Sequence, residues 1–139
     1  MISDQNYKKA IEMAGREPIN PIGSCFDSAA HNFVFGETES GDRICHGVGI
    51  ANMPGQEGQT FSHAWIEFTK DGARMAFDAI WGVVILAQSY REQLKLNYVV
   101  EYGKGEFLAL WRHTGFPGPW DKRVARFTTE GKRMAGVDR

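Results

Sequence analysis

The feature that most narrows what this chain can fold into is Lys70-Asp71-Gly72. Asp-Gly suits the tight two-residue turn of a β-hairpin, because both central positions need positive φ. Thr60 to Thr69 and Arg74 to Trp81, on either side, read as its two strands. A hairpin fixes register, and register decides which side chains meet. With the turn centred on Asp71 and Gly72, residues 63 and 78 are predicted to lie near each other across the two strands.

Upstream the period is helical. Ser3 to Arg16 predicts an amphipathic helix with Tyr7, Ala10, Ile11 and Ala14 on one face and Ser3 as its N-cap. Pro18 and Pro21 break it. A second helix is predicted from Ser24 to about Phe35, stopped by Gly36, with Phe26, Ala29, Ala30, Phe33 and Val34 at helical spacing. Arg43 to Ala51 predicts a further strand, and a loop rich in Gly and Gln separates it from the hairpin. Beyond the hairpin, Val83 to Leu96 is mixed, with Gln88 to Gln93 helical. Asn97 to Tyr102 reads as a strand, Lys104 to His113 as a helix closed by Gly115, and Phe116 to Trp120 as a rigid loop. Helices followed by antiparallel strands give an α+β fold rather than a doubly wound sheet.

The chain has 139 residues, which suits one domain, read here as 1–120. Residues 121–139 carry six basic and three acidic side chains and few aliphatics, a basic tail whose composition leaves it open to partial disorder. A net charge of −1 asks for neither nucleic acid nor an anionic membrane as partner. No apolar run approaches the roughly 20 residues of a spanning helix, and the N-terminus lacks the layout of a signal peptide. The expectation is a cytoplasmic protein whose two cysteines, Cys25 and Cys45, stay reduced.

Three short pieces carry chemistry. In Gly23-Ser24-Cys25-Phe26-Asp27, Cys25 falls in the first turn of the second helix, where unpaired backbone N–H groups and the helix dipole stabilise a negative charge. The same N–H groups could hold an oxyanion formed at an attacked carbonyl. In Ser62-His63-Ala64-Trp65-Ile66-Glu67-Phe68, alternation puts His63, Trp65 and Glu67 on one face, turned to the cysteine helix or to solvent. In Phe77-Asp78-Ala79-Ile80-Trp81, a carboxylate sits in an apolar strand and needs a partner. Taken singly each has an ordinary explanation: a small buried cysteine, a packed histidine, an aspartate bonded to backbone. Together they make a nucleophile, an acid/base and the group that orients it.

Those same residues, Gly23-x-Cys25-x-Asp27-x-Ala29, His63-Ala64-Trp65-x-Glu67 and Phe77-Asp78-x-x-Trp81, resemble the core of the transglutaminase-like superfamily of papain-like cysteine enzymes. The resemblance covers about residues 22 to 82. It implies a papain-like fold and a triad of Cys25, His63 and Asp78 acting through an acyl-enzyme. It also implies an amide hydrolase or acyltransferase of protease, amidase, deamidase or transglutaminase type, acting on a protein or peptide substrate without a cofactor. The other class of reading is a non-catalytic papain-like scaffold serving as a binding or inhibitory module.

Secondary expectations complete the set. Trp65 shields and orients the site on its substrate side, Glu67 bonds within the strand layer, and Asn20 is the upstream amide that could assist an oxyanion. Cys45-His46 is the obvious metal pair, but neighbours on a strand point to opposite faces, so no metal is expected, and His46 is predicted to be exposed. His31 is predicted at the surface or in packing, His113 as a cation offsetting the dipole near a helix C-terminus, and Trp120 as a pin holding its loop to the core.

Overall fold

The computed structural model describes residues 24–50 and 58–128. Within them the strands are β1 (Arg43–Ile50), β2 (Thr60–Lys70), β3 (Ala73–Asp78), β4 (Val83–Leu86) and β5 (Tyr98–Tyr102). The helices are α1 (Cys25–Phe35), α2 (Ala87–Gln93), α3 (Lys104–Thr114) and α4 (Lys122–Ala125). The strands form one sheet in the order β4-β3-β2-β1-β5, every pair antiparallel. The fold is therefore α+β.

The Asp-Gly turn forms as expected, with φ of 52° at Asp71 and 81° at Gly72, values that suit these two residues. The return strand is shorter than predicted, because it ends at Asp78 and the chain turns through Gly82 at φ 67°. That turn starts β4, which the mixed stretch concealed: four apolar residues carry no period.

Alternation along the strands builds two layers. On one face Ala29, Ala30 and Phe33 of α1 pack against Ile44, Ala64 and Ile66, joined by Phe107 of α3. The alanines let α1 lie close to the sheet, and Phe33 is fully buried, so Phe33→Ala should cost about 3–5 kcal/mol. On the other face Ala87 and Tyr90 of α2 cover Cys45, Trp65 and Ala76. Gly47 belongs to this second layer, where a Cβ would lie 2.7 Å from the Trp65 ring; the indole crosses β1 only because that atom is missing.

Packing continues past residue 120. Asp121 caps α4 by accepting from the amides of Arg123 and Val124 at 2.9 and 3.2 Å. Val124 is fully buried, and its carbonyl accepts from the Ser62 hydroxyl. One aliphatic residue in a basic stretch thus anchors the first part of the predicted tail. Residues 129–139, the predicted helix Ser3 to Arg16, and Asn20 lie outside the described residues. Among the described residues no helix is long and apolar enough to cross a membrane.

Candidate active site

α1 begins at Cys25 itself. The first bonded helical amide is that of Ser28, which donates to the Ser24 carbonyl at 2.8 Å. The amides of Cys25, Phe26 and Asp27 therefore have no acceptor within the helix and point out of its positive end. Cys25 is 8% exposed, whereas Cys45 is completely buried and lies within the second layer.

His63 Nε2 and Asp78 Oδ2 are 2.8 Å apart. They do not face each other directly. The ladder pairs Ile66 with Phe77, which sets Asp78 opposite Trp65, so His63 reaches it along the diagonal. Because β3 ends at Asp78, His63 lies beyond the last β2–β3 pair, where β2 keeps its β1 neighbour but is open on the β3 side. Cys25 lies near enough there for its thiol to act on the titration of the ring. With Nε2 engaged by Asp78, Nδ1 is the nitrogen left for the sulfur.

Helix and histidine approach from different sides. The body of α1 packs on the Ala64–Ile66 face, while His63 belongs to the face of Trp65 and Tyr90. The helix does not cover His63; only its first residue reaches the ring.

Asp78 is held by four donors. Oδ1 accepts from the amides of Ile80 and Trp81 at 2.8 and 3.3 Å, and Oδ2 accepts from His63 and from the Tyr90 hydroxyl, the latter at 2.7 Å. Burial alone would raise its pKa, but the His63 hydrogen bond and charge, with the Tyr90 and Ile80 bonds, bring it below the ordinary carboxylate value. For His63, burial works to discharge the ring. Hydrogen bonds to Asp78 and Cys25, and the charges on both, outweigh it and lift the ring to about 10. Burial, then the charge and hydrogen bond of Asp78, push the Tyr90 phenol well up, which keeps it a neutral donor.

Tyr90 was not foreseen. A tyrosine in a seven-residue helix gives no signal of its own, because its hydroxyl finds Asp78 only once α2 docks on the sheet.

Trp65, expected on the substrate side, is fully buried and cannot touch a substrate in this state. Its ring lies 16° from parallel to His63, with centroids 6.4 Å apart, so it supports the imidazole from within the layer. Its indole N–H donates to Glu67 at 2.8 Å. Glu67 is buried and also accepts from Arg74 at 2.6 Å and from both ends of the Arg91 guanidinium. Burial would raise the Glu67 carboxyl, but those bonds hold it below its ordinary value. This matches its expected place within the strand layer.

His46 corrects an expectation. It is fully buried, boxed by Phe26, Tyr102, Phe107 and Trp120, and a Cβ on Gly118 would lie 2.8 Å from its Cε1. Neither ring nitrogen has a hydrogen-bond partner among the described residues. Burial pushes its pKa down to about 3, only slightly opposed by the charge of Asp121. Its neighbour Cys45 points into the opposite layer, so the two side chains do not converge. The described residues contain one cluster with ligand-like spacing, Cys45, Glu67 and Glu101, whose ligand atoms lie within 4.8 Å. Arg74 and Arg91 already pair with its carboxylates. His31 is exposed and bonds the Asp27 carbonyl, His113 is exposed in the last turn of α3, and Trp120 packs on Phe107 as a loop pin.

Comparison with protein-family models, curated proteins and solved structures finds no match for this chain.

Proposed function

We propose that the protein is a cysteine-dependent amide hydrolase or acyltransferase with a transglutaminase-like, papain-like core, acting in the cytoplasm on a protein or peptide substrate. The observation that carries this reading is the 2.8 Å His63–Asp78 pair, extended by the Tyr90 hydroxyl, with Cys25 at the start of α1 close enough to influence the ring.

In this reading Cys25 Sγ attacks the carbonyl carbon of an amide after its proton passes to His63 Nδ1. The carbonyl oxygen becomes an oxyanion, met by the amides at the start of α1. As the tetrahedral adduct collapses, His63 gives the proton to the leaving amine and a thioester to Cys25 remains. Water then attacks the thioester with His63 as base, releasing the acid and restoring the thiol. An amine in place of water completes a transfer. Asp78 holds the ring in one tautomer and stabilises its charged form.

The test is iodoacetamide labelling followed by peptide mapping across pH. Burial alone makes Cys45 slow, so the decisive arm is His63→Ala. Labelling of Cys25 should slow at least about tenfold near neutral pH in that variant. An unchanged rate would show that the histidine does not activate the thiol and would end the proposal.

A further inference from the structure

We propose that a basic pocket beside the candidate site takes the carboxylate side chain of an acidic peptide substrate, an inference that rests on reading Cys25 as the nucleophile. The pocket has a volume of about 540 Å³. Val48 and Thr60 of the paired strands line it together with Lys122, Arg123 and Arg126.

On a chain of net charge −1, three cations lining one pocket are a local concentration. Among the described residues none of the three makes an ion pair within contact distance. Arg123 feels the charge of Asp121, but that carboxylate is already engaged by the Tyr98 hydroxyl at 2.6 Å and by two amides of α4. The Arg123 guanidinium lies 4.5 Å above the Tyr98 ring, which holds it in place without neutralising it. Arg74 and Arg91 behave oppositely at the far side of the sheet, where Glu67 and Glu101 take up their charge.

The position relative to the site follows from one bond. The Ser62 hydroxyl donates to the Val124 carbonyl, tying α4 to the residue immediately before His63. Thr60, in the pocket, is three residues from His63 along β2, roughly 10 Å at the rise of a strand, and with Ser62 it faces the side that α1 packs on, from which Cys25 reaches the ring. An extended peptide covers that length in about three residues. An amide bound at Cys25 would thus place an acidic side chain about three residues away among the three cations. A concave site with three charges suits one or two carboxylates better than a nucleic-acid backbone, which recruits many more contacts.

The experiment uses peptide amides with Glu, Gln or Lys two to four residues from the scissile bond. Wild type is compared with the double variant Lys122→Glu/Arg126→Glu, both positions being exposed. The expected result is a Glu-over-Gln ratio of kcat/KM of about tenfold or more in wild type, falling below one in the variant, where Lys becomes the favoured residue. A ratio unmoved by charge reversal overturns the pocket. If the double variant does not fold, Lys122→Ala and Arg126→Ala give the same reading with a smaller change. Fluorescence anisotropy of the same labelled peptides on Cys25→Ala separates the two claims. A retained preference for Glu alongside absent turnover in wild type sinks the nucleophile and leaves the pocket standing. Equal affinity for Glu and Gln peptides sinks the pocket. Tighter, charge-dependent binding of a single-stranded RNA that displaces the acidic peptide would overturn the choice of a peptide ligand.

Discussion

His46 and His63 are both interior histidines of adjacent strands, and the molecule treats them in opposite ways. His63 has a carboxylate on one nitrogen and a thiol nearby, and its ring is lifted to about 10. His46, on the far face, has aromatic rings around it and no partner for either nitrogen among the described residues, and its ring is depressed to about 3. Burial acts in the same direction on both. The difference is made entirely by partners, so a buried imidazole is a charge carrier or a neutral plug according to what reaches its nitrogens.

The widest gap between the two should come from removing each in turn. His63→Ala should lower turnover of an amide substrate by roughly 10³-fold or more, with Cys25 labelling slowed in parallel. His46→Leu should leave labelling of Cys25 untouched and keep or raise stability by up to about 2 kcal/mol, since two unsatisfied nitrogens leave the core. Chemical denaturation measures the second effect. A loss of stability beyond that range in His46→Leu would mean that the ring has a partner after all.

pH separates them by sign. His46 is depressed in the folded state, so its contribution is present above pH 6.5 and is lost as pH falls toward about 3. The size of that shift bounds the loss at roughly 4–5 kcal/mol. His63 is raised, so its contribution is full below 6.5 and disappears as pH rises through about 10. Asp78, held below its ordinary value of 3.8, adds a further loss only at the acid extreme. Urea midpoints between about pH 5 and 6.5, above the range where Glu67 and Asp78 contribute, should slope for wild type and flatten for His46→Leu. Parallel curves would refute a neutral His46.

Asp78→Asn is the next step down, with turnover lower by about 10- to 10³-fold. Asp78 accepts four bonds, and an amide must present N–H to at least one donor. A stability cost of about 1–3 kcal/mol should therefore accompany the kinetic loss. Turnover and melting temperature on one preparation check both, and full turnover would remove Asp78 from the site. Smallest of all, Tyr90→Phe should cost about 2- to 10-fold in turnover and roughly 1 kcal/mol, with the pH–rate profile of labelling shifted because Asp78 loses one donor. A profile identical to wild type would reduce Tyr90 to packing.

What the sequence revealed and what it concealed divide along physical lines. The Asp71-Gly72 turn has its own local chemistry, so the hairpin was legible, and with it the nearness of His63 and Asp78. The diagonal arrangement was less so, because it depends on β3 ending at Asp78. β4 lacks a period, and the burial of Val124 shows only when Ser62 and α4 come together. His46 looked like a solvent-facing neighbour of Cys45; its box is made of Phe26, Tyr102, Phe107 and Trp120, spread over almost a hundred positions of chain. Local signals gave local structure. Long-range packing decided which polar groups met.

The division of Cys25 from His63 and Asp78 between two layers makes the site a coincidence detector for folding. The sulfur arrives with α1 and one core, while the imidazole and its carboxylate belong to the other. Detachment of α1 alone would abolish the thiol–imidazole pairing while the hairpin survived. Thiol reactivity followed through mild denaturant would then report subglobal opening of one layer, before global unfolding, and amide exchange at Ala29 and Ala30 would rise with the same dependence.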